Sequence, residues 1–303
     1  MRIRMCNFSR PNVGTPTLVG AISIFFMKYI IDTHSHIQFP AYDADRDAVL
    51  TRAREVNVKM IAVGTQYATS KAGVELAHAH PDEIWAAIGF HPNHLAEQWH
   101  HDPKEQSSSA PERFDREAFL RLAADPKVVA IGECGLDYYR MEGEDVAAVK
   151  KAQKEVFMEQ IAIAEAVKKP LMVHCRPQKG TDDAYGDLLS VLEETKCSQK
   201  VIVHFYVGGP EITKRLVAAG CYFTFGGVIT FARNYDASLA LIPLERILLE
   251  TDCPYVAPQS QRGKRNEPAF IRETAESLAK IKNESLDTVM TRVLATTKDI
   301  FHM

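Results

Sequence analysis

Three features are missing from this 303-residue chain: a glycine-rich phosphate loop, a C-x-x-C cysteine pair and an apolar run long enough to cross a bilayer. Without the run there is no membrane-spanning helix to expect. Six cysteines (Cys6, Cys134, Cys175, Cys197, Cys221, Cys253) stand apart from one another with no zinc-finger spacing, so reduced thiols in a cytoplasmic protein are expected rather than a disulfide framework. Charge of one sign is also lacking. Thirty-six basic side chains face 39 acidic ones, for a net −3, which excludes a general polyanion-binding surface and leaves nucleic acid only a local site. What is present is 46% hydrophobic and 25% charged residues, the balance of an ordinary globular enzyme. A chain of this length buries roughly three quarters of the surface its unfolded form exposes, so a large core needs no staples.

The amino terminus reads differently from the rest. Arg2, Arg4 and Arg10 precede the apolar run Leu18 to Met27, which is shaped like a leader, but no small-x-small cleavage site follows and the run continues into Tyr29-Ile30-Ile31. Residues 1–27 are therefore read as an extension outside the fold, with Met27 as the natural start and residues 28–303 as one domain.

Short β-branched runs bounded by turns predict eight strands at Lys28–Thr33, Val58–Gly64, Ile84–Phe90, Val128–Glu133, Leu171–His174, Val201–Phe205, Cys221–Phe225 and Ile247–Thr251. Segments of 3.6-residue periodicity lie between them, at Asp47–Val56, Thr69–His80, Ala147–Val167, Tyr185–Lys196, Glu211–Ala219 and Tyr235–Ile242. Two more, Pro268–Ile281 and Leu286–Phe301, follow the last strand. Alternation implies a parallel sheet, and eight units over this length predict a (β/α)8 TIM barrel. An open doubly wound sheet would put a glycine-rich loop after the first strand, where this chain has histidines.

Barrel active sites form at the carboxyl ends of the strands. Those ends read Asp32-Thr33-His34-Ser35-His36, Gly89-Phe90-His91-Pro92, Gly132-Glu133-Cys134-Gly135-Leu136-Asp137, His174-Cys175-Arg176, His204, and Glu250-Thr251-Asp252-Cys253-Pro254. His34 and His36 are two apart, so on a strand both rings point the same way and can clasp one ion. Imidazole and carboxylate together suit Zn²⁺, Mn²⁺ or Fe²⁺, and carboxylate-rich sites also take Mg²⁺. Alone, Glu133 also has a bland reading as a hydrogen-bonded buried carboxylate, and Asp252 as a helix cap. Packing alone does not bring so many ionisable groups to one rim, because buried unpaired charge is expensive.

These stretches, with Val201-Ile-Val-His204, Gly226-Gly-Val-Ile-Thr230, Glu250-Thr-Asp-Cys-Pro-Tyr255 and Arg262-Gly-Lys-Arg-Asn-Glu-Pro268, resemble the TatD family of metal-dependent deoxyribonucleases, from Lys28 to about Ile300 and in family order. The resemblance implies that His34, His36 and Asp252 hold one divalent metal, that His174 and His204 hold a second (Mg, Mn or Zn), and that Glu133 bridges them. Asp252 and Glu133 would be the catalytic carboxylates, Asp252 orienting the attacking water. It further implies 3'-5' exonuclease-like hydrolysis of DNA phosphodiesters, with no membrane and no obligate protein partner. Rival readings are a same-fold hydrolase of a carboxylic ester, lactone or amide, and a non-catalytic nucleic-acid- or protein-binding barrel.

Substrate contacts are expected from His91, Arg176, Arg265 and Asn266: the arginines would take phosphate bidentately, and Asn266 a phosphate oxygen or loop backbone. Tyr138, Tyr139 and Tyr255 are candidates for stacking on bases or for rim packing. His94, His100 and His101 are expected in solvent, and the thiols of Cys134, Cys175 and Cys253 in the layer between barrel and helices. The chain departs from the family after strand six, where His204-Phe-Tyr-Val-Gly208 replaces the usual His-Cys-Phe-Ser-Gly. Its loops Pro177–Asp183 and Asn93–Asp115 are also long.

Overall fold

The computed structural model describes residues 29–95, 102–106, 112–139, 141 and 145–303. The expected extension over residues 1–27, His100, His101 and the serine-rich stretch 107–111 lie outside the described residues.

Eight strands pair in parallel and in chain order. They are β1 (Ile30–Ser35), β2 (Val58–Val63), β3 (Ile84–Ile88), β4 (Val128–Asp137), β5 (Leu171–Arg176), β6 (Val201–Val203), β7 (Tyr222–Phe225) and β8 (Ile247–Leu249). Between them run α1 (Arg46–Glu55), α2 (Tyr67–Ala79), α3 (Arg116–Ala123), α4 (Val146–Val167), α5 (Asp183–Glu194), α6 (Pro210–Ala218) and α7 (Asp236–Leu241). Then α8 (Ile271–Lys282) and α9 (Leu286–Phe301) follow the last strand. This is the expected (β/α)8 barrel. Helix α3 has no counterpart in the periodicity reading; it is started by Asp115, whose carboxylate accepts from Ala118 N at 3.1 Å. Strands β4 and β5 run past their expected ends, to Asp137 and Arg176, while β6 stops at Val203, just before the chain turns at Phe205 with φ 45°.

Strand alternation divides the core into two shells. Ile31, Ile61, Ala87, Ala130, Met172, Ile202 and Leu248 form one cluster, joined by Ile300 and Phe301 of α9. Their neighbours in sequence, such as Ile30, Met60, Ala86, Ile131, Val173, Val203 and Leu249, pack with the helices instead. The ring is drawn together where β1 meets β8. Ser35 bridges Cys253, Thr33 Oγ1 donates to Leu249 O at 2.9 Å, and the Asp32 carboxylate accepts from Thr251 N at 2.9 Å and Thr251 Oγ1 at 2.5 Å. Burial pushes the Asp32 pKa up to about 8, against those hydrogen bonds. This seam fixes His34 and His36 beside Asp252, whose amide donates to His34 O at 2.9 Å.

Candidate metal centre

Glu133 owes its position to its flanking glycines. Gly132 and Gly135 have φ of 149° and 134°, and a Cβ on either would run into β5 backbone, at Met172 O and His174 O respectively. Only glycine lets β4 lie this close to β5 while the register between them shifts. Glu133 thereby enters the barrel mouth almost fully buried, at 4% exposure.

Its two oxygens face different neighbours. Oε2 lies 3.3 Å from His34 Nε2 and 3.7 Å from His36 Nε2. Asp252 Oδ1 is 3.8 Å and 3.4 Å from the same two nitrogens, which are themselves 3.2 Å apart. Metal–nitrogen bonds of about 2.1 Å in tetrahedral array put donors about 3.4 Å apart, so each of the two carboxylate oxygens is spaced from the two nitrogens as ligands of one ion are. Oε1 faces the other side, 2.9 Å from His174 Nδ1, 2.8 Å from His204 Nε2 and 3.2 Å from His91 Nε2. His174 Nδ1 and His204 Nε2 are 3.4 Å apart.

Hydrogen bonds behind the rings set which nitrogen offers a lone pair. His36 Nδ1 donates to Val63 O at 2.8 Å, leaving Nε2 free as a donor to an ion. His174 Nε2 bonds Asp137 Oδ2 at 2.9 Å, which leaves Nδ1 as the inward atom. His91 is the opposite case: its Nδ1 accepts from Asn93 N at 3.2 Å, so the proton sits on Nε2 and points at Glu133. Buried His34 Nδ1 meets no hydrogen-bond partner among the described residues.

The electrostatics suit a cation. Burial pushes the Glu133 pKa up, yet the charges of His204 and His91 and hydrogen bonds from His174 and His204 outweigh it and hold the group well below the usual carboxylate range. Burial, reinforced by His204, lowers His34 to about 3, so His34 is neutral at ordinary pH. Burial also works against protonation of His36, His174 and His204, but the facing carboxylates overcome it and raise all three. Several imidazoles around one buried carboxylate need protons or metal ions between them to be stable. The donor set of nitrogens and carboxylates fits divalent metal.

The six expected ligand residues thus converge in one cluster, with His91 added on the Oε1 side. Two buried carboxylates escaped the sequence reading. Asp137 stands four residues after Glu133 on β4, hence on the same face, and that period was the available signal. Glu250, two before Asp252, accepts from Phe205 N at 2.8 Å and Thr224 Oγ1 at 2.5 Å and lies 3.5 Å from His204 Nδ1.

Around the cluster opens a cleft of about 1260 Å³. Arg176 lies on its lip, exposed, with its guanidinium 3.8 Å above the Tyr139 ring. Arg265 is placed elsewhere, contrary to expectation. Its guanidinium grips Asp45 at 2.7 and 2.8 Å, donates to Ala41 O at 2.7 Å and covers the Tyr42 ring. Asn266 takes the second of its two expected partners, the loop backbone, rather than a phosphate: fully buried, its amide donates to Thr251 O at 2.8 Å and Tyr255 O at 2.7 Å, tying the loop after β8 together. His94 is not in solvent; it is buried with Nε2 2.9 Å from Glu105 Oε1. Tyr138 is buried, its hydroxyl donating to Asp187 at 2.8 Å, whereas Tyr139 and Tyr255 line the cleft. Cys134, Cys175 and Cys253 are buried among helix-facing side chains, as expected.

A family described as TatD-related DNase matches residues 31–302. The uncharacterized metal-dependent hydrolase YabD of Bacillus subtilis is 33% identical over 279 residues, covering 90% of this chain and 99% of that protein. The 3'-5' ssDNA/RNA exonuclease TatD of Erwinia tasmaniensis is 30% identical over 268 residues, covering 86% and 94%. Among solved structures, YjjV, a TatD homologue from Escherichia coli K12, superposes with a TM-score of 0.77 at 27% identity over 91% of this chain and 99% of that one.

Proposed function

The chain belongs to the TatD-related DNase family and is a metal-dependent hydrolase of that type, and from that premise we propose that it is a nuclease that releases nucleotides from single-stranded ends with two divalent ions. The observation that carries the reading is the division of Glu133: Oε2 faces His34 and His36, Oε1 faces His174 and His204. A carboxylate divided in this way would bridge two ions if both were bound. His34, His36 and Asp252 would hold one and His174 and His204 the other. Bound there, divalent ions would acidify a water and offset the charge that grows on phosphoryl oxygens during displacement.

The chain's own groups supply the rest. Asp252, with 15% of its side chain exposed, is the open side of the first cage and takes the proton of the attacking water. His91 presents an N–H at the second cage, where it can donate to a phosphoryl oxygen in place of Glu133. Arg176, for which no carboxylate partner occurs among the described residues, receives a neighbouring phosphate on the lip of the cleft. Tyr139 holds that guanidinium flat by stacking. These groups create local positive potential in a chain whose net charge is −3. The polarity of degradation follows the name of the Erwinia tasmaniensis relative.

Protein stripped of metal and resupplied with Mg²⁺, Mn²⁺ or Zn²⁺ tests the reading, on single- and double-stranded DNA and RNA labelled at either end, beside a panel of esters and lactones. Stepwise loss from the 3' end of single strands is expected. Nucleic acid left intact with every metal while an ester turns over would replace the nuclease by a carboxylic-ester hydrolase.

A further inference from the structure

The mouth of the barrel is divided by chemistry. On the β3 side it is acidic, with Asp102 and Glu105 in the wall. Past β5 it carries two cations, Arg176 and Lys179, against one exposed carboxylate, Asp182. Between β6 and β8 it is apolar, formed by Phe205, Val207, Tyr235 and Val256. The last sector includes the departure from the family pattern, since Phe205 stands where that pattern has cysteine and Val207 where it has serine.

The turn that carries these side chains is held by other atoms. Phe205 N donates to Glu250 Oε1 at 2.8 Å and Thr224 Oγ1 at 3.0 Å, and Val207 N to Tyr185 Oη at 3.3 Å. Tyr206, between them, is buried in the outer layer against Tyr185 and Phe223, its hydroxyl 2.7 Å from Thr213 Oγ1. Ser238 Oγ ties the start of α7 to Gly208 O at 2.8 Å, and Gly227 is packed under Val256 O and Pro258 so closely that a Cβ would not fit. The loops after β6, β7 and β8 are therefore one wall, and the half-buried Phe205 and Val207 side chains line the cleft, Phe205 also packing against the helix-facing core.

We propose that Phe205 and Val207 are substrate-binding residues: with Tyr235 and Val256 they form a stacking subsite for the nucleobase of the terminal nucleotide being released. The inference rests on the nuclease reading above. With a phosphodiester at the metal cluster, the strand cannot leave toward Asp102 and Glu105 without charge repulsion, and it leaves past Arg176 and Lys179. The terminal nucleoside then lies toward β6–β8, where ring faces and branched alkyl groups meet a base of any identity. Stacking of this kind is sequence-tolerant because every base has a π-face.

The test compares single-stranded oligonucleotides that differ only in an intact or an abasic residue at the end from which degradation starts, with the metal-loaded wild type, Val207→Ser and Phe205→Ala. For the wild type, KM is expected to be roughly tenfold lower on the intact end. In the variants that ratio falls toward one. The abasic substrate corrects for any general loss, since a misfolded or metal-depleted variant loses both substrates together. A ratio near one in the wild type, or a wild-type ratio that survives both substitutions in folded, metal-loaded variants, would overturn the subsite. Failure of the wild type to cut any nucleic acid with any metal would instead remove the nuclease reading, and the subsite with it.

Discussion

Asp137 Oδ2 lies 2.9 Å from His174 Nε2, on the side of the imidazole opposite Glu133. Asp137 is itself oriented by the Tyr139 amide, which donates to Oδ1 at 2.9 Å. Burial raises its pKa, but the His174 hydrogen bond and charge override this and bring it to about 2, so it is a carboxylate at any working pH. The pair is a carboxylate–histidine couple that fixes the ring and makes Nδ1 the inward atom.

Asp137→Asn should therefore weaken metal binding by about 10- to 100-fold, the usual cost of losing an outer partner of a metal-ligating histidine. The fold should persist, since Asn keeps the shape and can still accept from Tyr139 N. Metal titration of the stripped protein gives the affinity, and circular dichroism the fold. Wild-type affinity in Asp137→Asn would remove the positioning role.

Glu133→Gln should cost more. Gln keeps the volume but loses the charge that faces five imidazoles, so, if two ions bind as proposed, both should be lost together rather than one. Activity should fall roughly a thousandfold or more, beyond the 10²–10³ lost with a single transition-state donor. Metal analysis of the purified variant decides it: retention of one equivalent would mean that Glu133 serves only one ion.

How much of this was legible beforehand depended on the distance over which each group is satisfied. Strand ends were readable because alternation and the barrel rule are local, and they brought out His34, His36, Glu133, His174, His204 and Asp252. Asp137 was within reach of the same period. Arg265 was not: an arginine in a rim loop reads as a phosphate contact until Asp45, 220 residues earlier, is seen gripping it. Asn266 likewise satisfies carbonyls of its own buried loop, and no pattern in the sequence marks a loop as buried. His94 sits in a polar stretch that suggests solvent, but Glu105 of the same long connection folds back onto it. Helix α3, eight residues long after that connection, offers barely two turns of period.

The metal-free protein should lose stability as pH rises. His36, His174 and His204 have folded pKa values above the usual 6.5 because Asp252, Glu133, Asp137 and Glu250 outweigh burial. A raised pKa contributes stability that is fully present below the unfolded value and is lost as pH passes the folded one. Metal must displace those same protons, so its affinity climbs over the same range. The rise in Tm on adding Mn²⁺ should thus be small near about pH 6 and large near about pH 8. Thermal melts with and without chelator across this range measure it, and a Tm increment independent of pH would contradict the proton–metal exchange.

Arg176→Ala and Arg265→Ala should separate cleanly. Arg176 is exposed on the lip of the cleft, so its loss should raise KM for single-stranded DNA several-fold, steeply dependent on salt in the wild type and less so in the variant, with Tm unchanged. Arg265 is about one-third exposed and committed to Asp45, Ala41 O and the Tyr42 ring. Discounted for solvent screening, its ion pair and packing contribute about 1 kcal/mol, so Arg265→Ala should lower Tm by a few degrees and leave KM alone. Steady-state kinetics over a salt series together with thermal melts distinguish the two. A rise in KM for Arg265→Ala without a change in Tm would return that residue to the substrate and require the loop after β8 to open in the complex.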